Sequence, residues 1–321
     1  MTASTWLLSI LAVLAFAASA TVYIAYRRDM ARIRARLAAA SRIAWTAAGP
    51  IEYADAGHGP PVLVIHGAAG GYDQGLLIAQ ENFRTGVRVI APSRFGYLRT
   101  PFPADASPAG QADAHAALLD ALGLDRVIVL GFSAGGRSAV QLALRHPKKV
   151  RALILESMVM AAPFCIPDFN RFGMGRMLLK IVRAGVDFPY WLAILIAPSL
   201  MVRFSGARMK VYASASRSER DFLLAVMRGM LPLSTRLKGL ANDAVNVSES
   251  WPVEEIATPT LIAAVADDLF RTLPTARVTA ARIPGAKLVA FETGSHLLVG
   301  HHEEIRAEVA DFLARLDTAP P

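Results

Sequence analysis

The chain has 321 residues, of which 54% are hydrophobic and 19% are charged, and this balance excludes a disordered or fibrous protein. Its length is enough for a domain whose core needs no cross-links. The one cysteine, Cys165, excludes an intrachain disulfide and a cysteine-based zinc site. The net charge of +8 is concentrated in residues 27–42 and 157–247 rather than spread over one face, so we expect no nucleic-acid partner.

The N-terminal segment is predicted to be a membrane anchor. The apolar run from Trp6 to Tyr26 contains 21 residues without a charge, a proline or a glycine. A helix of that length spans roughly 31 Å, about one hydrocarbon core. A cleaved signal peptide is the alternative, because residues 18–20 resemble a cleavage site. No lysine or arginine precedes the run, however, and the run continues past that site, so we expect an uncleaved transmembrane helix within residues 1–28.

A basic segment follows the apolar run directly. Residues 27–42 contain six arginines against one aspartate. We interpret residues 29–41 as a juxtamembrane segment that binds anionic lipid head groups, although an ordinary solvated helix is compatible with the same pattern. Positive charge on this side of the span keeps the C-terminal body in the cytoplasm. The sequence therefore predicts a single-pass membrane protein that has membrane lipids as partners and a cytoplasmic body.

Strand and helix signals alternate beyond residue 42. Short apolar runs bounded by turn residues favour strands, and longer periodic stretches between them favour helices. Strands that are apolar throughout and alternate with helices predict a parallel sheet covered by helices on both faces. The strands are predicted at 62–65, 87–90, 126–130, 151–155, 260–264 and 287–291, and the helices at 111–122, 134–145 and 302–316.

The alternation stops after Glu156 and resumes at Thr260. The residues between them carry no strand signal and are rich in methionine, phenylalanine and arginine. This pattern predicts a helical insert, residues 157–255, between two parts of one core at 42–156 and 256–321. Eight of the ten methionines lie in this insert: Met158, Met160, Met174, Met177, Met201, Met209, Met227 and Met230.

One motif carries the chemistry. Gly131-Phe132-Ser133-Ala134-Gly135 matches the pattern G-x-S-x-G between a predicted strand and a predicted helix. In this context the pattern indicates a nucleophile elbow, a sharp turn that needs small neighbours and holds the serine hydroxyl at the end of the strand. The start of the following helix presents backbone N–H groups and a positive dipole end, which suit a developing oxyanion. Ser133 is therefore the candidate nucleophile.

An acid and a histidine follow Ser133 in the chain order that such an elbow requires. Asp267 and Asp268 come after one predicted strand, and His296 lies in a Gly-Ser-His turn after the next. A serine hydroxyl needs an adjacent base, and a histidine base needs a carboxylate that fixes its tautomer. The sequence thus predicts His296 as the base and leaves both aspartates as candidates for the acid.

His301 and His302 are competing histidines, but their place at the start of the final predicted helix favours surface or capping roles. The spacing of His296, His301 and His302 does not match a metal-binding motif. We therefore expect no metal and no other cofactor.

The chain resembles the α/β-hydrolase superfamily over about residues 42–316. Residues 62–67, Val-Leu-Val-Ile-His-Gly, look like that family's strand and His-Gly turn. The resemblance implies an α/β-hydrolase fold with an inserted helical cap. It also implies that the N–H groups of Ala68 and Ala134 form an oxyanion hole, and that Asp268 is a better match to the family's acid than Asp267.

Two loops near the predicted site complete the comparison with the family. Residues 69–75 are rich in glycine, and we expect them to form a flexible loop that closes on a carbonyl oxygen. Residues 93–97, Ser-Arg-Phe-Gly-Tyr, stand where the family usually has Asp-Arg-x-Gly-x. Ser93 replaces the aspartate, and Leu98 replaces a second glycine. These departures affect a loop-shaping motif and not the predicted catalytic residues.

Together these features predict a membrane-anchored serine hydrolase that cleaves a carboxylic ester of apolar character. Serine at the elbow argues against the dehalogenase and epoxide hydrolase chemistry for which the family uses aspartate. Related folds also hydrolyse carbon–carbon bonds, transfer acyl groups or act as cofactor-free peroxidases, and the fold does not choose among these reactions. A catalytically silent, membrane-tethered binding module is a further alternative.

Overall fold

The computed structural model describes residues 2–83, 86–159, 187–202, 206–245 and 251–318. The chain divides into two compact units, residues 1–40 and 41–321. The first unit is one helix, α1 (Ala3–Ala39), which includes the apolar run and five of the six arginines that follow it. This helix is long and apolar enough to cross a membrane, a property that signal sequences share.

The second unit is built on an eight-stranded sheet. Its strands are β1 (Arg42–Thr46), β2 (Gly49–Gly57), β3 (Pro61–Ile65), β4 (Arg88–Pro92), β5 (Val127–Phe132), β6 (Val150–Glu156), β7 (Thr260–Val265) and β8 (Lys287–Phe291). They lie in the order β1-β2-β4-β3-β5-β6-β7-β8. The first three strands in that order pair antiparallel, and the remaining pairs are parallel. The predicted parallel sheet is therefore confirmed for most of its width.

Helices flank this sheet, as its apolar strands require. Every residue of β5 is buried, because strands covered on both faces have no solvent side. The flanking helices are α2 (Tyr72–Asn82), α3 (Pro108–Ala121), α4 (Gly136–Arg145), α10 (Thr272–Arg282) and α11 (His302–Thr318). Among them, α3 packs on α4, and α2 packs on α11.

The predicted flexible loop at residues 69–75 is wrong in its second half, because α2 begins at Tyr72. The glycines of this stretch allow close packing rather than motion. A methyl group on Gly75 would lie 3.0 Å from the Ala91 Cβ and 3.1 Å from the Val64 carbonyl oxygen. The absence of a side chain at position 75 therefore lets the helix pack close against the sheet.

The regular secondary structure among the described residues of the insert is helical. Between Glu156 and Thr260 the described residues contain no strand. Met158, Met201 and Met227 are buried, so these three side chains belong to ordinary packing. Cys165, Met160, Met174 and Met177 lie outside the described residues. The α-helices of the insert are α5 (Asp187–Ile196), α6 (Pro198–Met201), α7 (Met209–Ser214), α8 (Arg217–Gly229) and α9 (Leu237–Val245).

Candidate active site

Ser133 lies on the sharp turn between β5 and α4. Its φ is +51°, a left-handed conformation that a non-glycine residue rarely adopts and that is common at functional sites. The two glycines of the motif, Gly131 and Gly135, lie where the turn is crowded. A methyl group on Gly131 would lie 2.6 Å from the Ala139 Cβ, and one on Gly135 would lie 2.4 Å from the Ile65 carbonyl oxygen. The glycines of the motif thus let the turn fit against its surroundings.

His296 and Asp268 continue from Ser133 in one line of hydrogen bonds. The His296 Nε2 atom is 2.8 Å from the Ser133 Oγ, and the His296 Nδ1 atom is 2.8 Å from an Asp268 carboxylate oxygen. All three residues are buried. The rings of Phe270 and Phe132 flank the imidazole, with centroids 4.5 and 5.4 Å from it. This apolar surrounding strengthens the polar contacts inside it.

The Asp268 carboxylate is held in its ionised form. Burial by itself would raise its pKa, but the attraction of His296 and three hydrogen bonds together lower the pKa below its ordinary value. Besides His296, the donors are the Phe270 N–H at 2.8 Å and the Thr272 hydroxyl at 2.5 Å. An ionised carboxylate in this place keeps a hydrogen on His296 Nδ1 and leaves Nε2 free to accept a proton from Ser133.

Asp267 has a different neighbour. Its carboxylate accepts a hydrogen bond from the Ser295 N–H at 2.7 Å. The structure therefore brings Asp268 to the imidazole and Asp267 to the backbone beside it. His301 stacks on the Phe291 ring with centroids 3.9 Å apart. His302 contacts the Leu297 carbonyl and Glu81. The contacts of both competing histidines are therefore with residues other than Ser133.

The His-Gly turn after β3 runs alongside the serine. A methyl group on Gly67 would lie 3.0 Å from the Ser133 Cβ. The next residue, Ala68, is half-buried, and its N–H has no acceptor among the described residues. Ala134 lies in the first helical turn after β5, where N–H groups have no partner within the helix. Both groups that the sequence predicts for an oxyanion hole thus border the same serine.

Sequence reasoning missed two ion pairs, one buried and one partly buried, that join the insert to the loops around Ser133. Arg94 binds Asp243 of α9 through two hydrogen bonds of 2.6 and 2.8 Å. Arg236, which precedes α9, binds Asp73 of α2 through bonds of 3.1 and 2.9 Å. The partners of each pair are 149 and 163 residues apart, so no local motif pairs them. Arg94 was visible only as part of a loop-shaping motif.

The insert also covers His296. A methyl group on Gly206 would lie 2.6 Å from the His296 Cβ. The Arg208 N–H donates to the Ser295 hydroxyl at 2.9 Å, and its Nε–H donates to the Asp267 carbonyl oxygen at 2.7 Å. These contacts fix the loop that carries the histidine. Among the described residues, no group of three or more histidine, cysteine or acidic side chains is arranged to hold a metal ion.

Comparison with known proteins agrees with this architecture. A 2-hydroxymuconate semialdehyde hydrolase from Pseudomonas putida is 29% identical over 269 residues, which cover 82% of this chain and 90% of that protein. An uncharacterized hydrolase from Bacillus subtilis is 33% identical over 136 residues, and there the chain spans 46% of the relative. The structure of an alpha/beta hydrolase fold protein from Nakamurella multipartita has a TM-score of 0.70 and 30% identity, and the match covers 86% of this chain and 99% of that one.

The family assignment follows from a match along most of the chain. Residues 60–302 match the sequence profile of the alpha/beta hydrolase fold. This range begins at β3 and ends at the start of α11, and it includes Ser133, Asp268 and His296. The sheet order, the elbow and the sequence match therefore agree, and the chain belongs to the alpha/beta hydrolase fold family.

Proposed function

We propose that the protein is a membrane-anchored serine hydrolase that cleaves a carboxylic ester of apolar character. The observation that carries this proposal is the line of hydrogen bonds from Ser133 through His296 to Asp268, with both distances at 2.8 Å. A serine hydroxyl is a weak nucleophile at neutral pH, and this arrangement is the one that activates it.

The proposed reaction proceeds in two halves. The Ser133 oxygen attacks the ester carbonyl while His296 Nε2 takes the hydroxyl proton, and Asp268 stabilises the imidazolium that forms. The tetrahedral intermediate then collapses to an acyl-enzyme, and His296 returns the proton to the departing alcohol. Water then attacks the acyl-enzyme carbonyl while His296 takes its proton. When this second tetrahedral intermediate collapses, the bond between the carbonyl carbon and the Ser133 oxygen breaks, His296 returns the proton to Ser133, and the acid is released. The N–H groups of Ala68 and Ala134 bind the oxyanion in both halves, and none of these steps calls for a cofactor.

The apolar character of the substrate is inferred from the surroundings of the serine. Phe132 and Phe270 border His296 with ring centroids 5.4 and 4.5 Å away, so the base that contacts Ser133 lies between apolar side chains. In this proposal the insert, residues 157–255, acts as a cap that shields the acyl chain from water. Adaptable apolar side chains in such a cap suit a loosely defined hydrophobic group.

The membrane part of the proposal rests on α1. Its apolar run would hold the hydrolase at a bilayer, where apolar esters concentrate, and its arginines would contact anionic head groups on the cytoplasmic side. The partners in this proposal are membrane lipids and a small apolar ester, with no nucleic acid.

A second candidate function is favoured by one specific relative. The Pseudomonas putida hydrolase that is similar over 82% of this chain acts, by its name, on 2-hydroxymuconate semialdehyde. Hydrolysis of such a compound breaks a carbon–carbon bond beside a carbonyl group. In this reaction Ser133 would attack that carbonyl with His296 as its base, and the leaving group would be a carbon atom instead of an alcohol oxygen.

A paired assay distinguishes the candidates. The purified protein and a Ser133→Ala variant would be given p-nitrophenyl butyrate, a fluorophosphonate probe and 2-hydroxymuconate semialdehyde. We expect ester hydrolysis and probe labelling in the wild type, and a loss of about a thousandfold or more in the variant. Turnover of the semialdehyde without ester hydrolysis would select the second candidate. A wild type that neither labels nor hydrolyses would indicate a silent binding module.

A further inference from the structure

The peptide group between Gly67 and Ala68 is fixed from its oxygen side. The Gly67 carbonyl oxygen accepts a hydrogen bond from Arg94 Nη2 at 3.0 Å and lies 2.7 Å from His66 Nδ1. In a trans peptide the C=O and the following N–H share one plane and point in opposite directions. Whatever holds the Gly67 oxygen therefore also sets the direction of the Ala68 N–H, the proposed oxyanion donor.

The tautomer of His66 follows from its other contact. Its Nε2 accepts a hydrogen bond from the Arg94 backbone N–H at 2.9 Å, so the ring hydrogen is on Nδ1 and is donated to Gly67. Burial, together with the nearby Arg94 charge, lowers the pKa of His66 well below its ordinary value and keeps the ring neutral. The Gly67 oxygen thus receives one hydrogen bond from a neutral ring, one from a guanidinium and a longer one, of 3.3 Å, from the Gly70 N–H.

One carboxylate of the insert, that of Asp243, binds the two side chains that contact the peptide groups before and after Ala68. Asp243 binds the Arg94 guanidinium with two hydrogen bonds, and it accepts a third from the Tyr97 hydroxyl at 2.5 Å. The same Tyr97 oxygen accepts the Ala69 N–H at 3.3 Å. Ala69 has a φ of +55°, so this bond supports a residue in a left-handed conformation. Asp243 and Arg94 are both buried, and solvent does not weaken their pairing.

We propose that Asp243 is a positioning residue for the oxyanion hole, acting through Arg94 and Tyr97 on the peptide groups either side of Ala68. A cation that binds the Gly67 oxygen polarises the peptide, which makes the Ala68 N–H a stronger donor as well as a fixed one. The oxyanion site is then complete only when α9 of the insert is docked. This inference rests on the proposed serine hydrolase function.

The second ion pair offers a matched control. Asp73 also binds an arginine across the boundary between insert and core, at 2.9 Å, and its partner Arg236 contacts the Gly70 carbonyl rather than the Gly67–Ala68 peptide. Asp243→Asn and Asp73→Asn therefore each remove one charge from an arginine–aspartate pair, and only the arginine of the first pair donates a hydrogen bond to the Gly67 oxygen itself.

The test compares these variants on p-nitrophenyl butyrate and on an alkyl trifluoromethyl ketone, whose adduct with Ser133 carries an oxyanion. For Asp243→Asn we expect a fall in kcat of about ten- to a hundredfold, KM within threefold of wild type, and inhibition by the ketone weakened by the same factor as kcat/KM. For Asp73→Asn we expect kcat and ketone inhibition within threefold of wild type. Equal losses in the two variants, or a normal kcat in Asp243→Asn, would overturn the inference.

A milder variant covers the case in which Asp243→Asn does not fold. Tyr97→Phe leaves both charges in place and removes only the hydroxyl that bridges Asp243 and Ala69. We expect a fall in kcat of about three- to tenfold at unchanged KM, with a matching loss of ketone inhibition. Wild-type kcat and inhibition in this variant would contradict the inference. Turnover that survives Ser133→Ala would instead refute the proposed function, and the inference with it.

Discussion

The Asp267 carboxylate accepts a hydrogen bond from the Ser295 N–H at 2.7 Å, one residue before the histidine. Its neighbour Asp268 binds the imidazole of His296 itself. Two consecutive carboxylates thus contact two consecutive residues, one setting the backbone of the histidine loop and the other setting the ring. This pairing explains why both aspartates looked suitable in the sequence and why their roles differ.

The two aspartates should respond differently to the same substitution. In Asp268→Asn the amide can donate to the imidazole and favours the wrong tautomer, so kcat should fall by about 10⁴-fold. In Asp267→Asn the amide oxygen still accepts the Ser295 N–H, so the loss should be about tenfold or less. Steady-state kinetics on p-nitrophenyl butyrate measure both effects. A larger loss in Asp267→Asn would show that the acid has been assigned to the wrong residue.

The elbow should not tolerate one added methyl group. Gly135 has an ordinary helical conformation, with a φ of −67°, so an alanine there would not strain the backbone. Its methyl group would, however, lie 2.4 and 2.5 Å from the carbonyl oxygens of Ile65 and His66. We expect Gly135→Ala to lower the free energy of unfolding by about 1–3 kcal/mol and to reduce kcat, as measured by urea denaturation and ester assay.

Gly229 provides the control for that substitution. It is the last residue of α8, and a methyl group there would have no neighbour closer than 3.9 Å. Gly229→Ala should therefore leave kcat unchanged and should be neutral or stabilising by up to about 1 kcal/mol. Equal destabilisation by the two alanines would mean that crowding at the elbow is not the cause.

Glu156 at the end of β6 should make stability depend on pH. Burial raises its pKa to about 7, against a smaller opposite effect of the hydrogen bond from Asn82. The folded state therefore binds a proton that the unfolded chain has already released, and stability should fall as pH rises from about 4.5 to about 7. Above that pH the cost of an ionised Glu156 stays constant, on the order of a few kcal/mol.

Glu156→Gln should remove this dependence. A glutamine can accept the Asn82 amide hydrogen as Glu156 does, and its own amide can donate to the Asn82 Oδ1, a buried oxygen without a partner among the described residues. The melting temperature of the variant should exceed that of wild type at pH 8, and the difference should shrink towards pH 5. A difference that is constant from pH 5 to pH 8 would contradict the raised pKa.

Removal of residues 1–28 should release the protein from membranes and keep its activity, because the sheet and the candidate site belong to the second compact unit. Fractionation of cells and an ester assay of the soluble fraction measure this. A C-terminal reporter on the full chain should read as cytoplasmic. A soluble full-length protein, or a reporter on the other side of the membrane, would contradict the anchor or its orientation.

Acyl chain length should control the specificity constant. Each methylene transferred from water to an apolar pocket contributes about 0.8 kcal/mol, nearly fourfold in kcat/KM. We therefore expect kcat/KM to rise from acetyl over the first several carbons and then to level off. Salt should reduce activity on anionic vesicles more than on soluble esters, because only the vesicles attract the arginines of α1. A flat profile from acetyl to octanoyl without a salt effect would exclude a lipid-like substrate.

Much of the fold was predictable because its signals are local. Each of the six predicted strands begins and ends within two residues of an observed strand, and the predicted bounds of β8 agree at both ends. The hairpin of β1 and β2 was missed because these strands lie at the antiparallel edge, where burial is partial and the apolar pattern is weak. The start of α2 was missed because Gly70 and Gly71, which precede it, and Gly75 within it resemble a loop.

The candidate site was predictable to the extent that its residues lie at strand ends. Ser133, Asp268 and His296 each follow a strand with an apolar sequence, and a parallel sheet brings such ends to one edge. The choice between Asp267 and Asp268 depended on which side chain faces the imidazole, and that is a matter of loop geometry. Asp243 could not be found in this way, because a helical insert carries no strand end and its partner Arg94 is remote in the chain.

The two ion pairs across the boundary have opposite polarity, since the insert contributes Asp243 and Arg236 while the core contributes Arg94 and Asp73. A misaligned insert would bring like charges together, so only one docking register is favourable. Chimeras that exchange the insert alone would leave Arg94 and Asp73 without their partners. The insert and the segment from residue 66 to residue 97 therefore form one exchangeable module, which must be transplanted as a whole when specificity is redesigned.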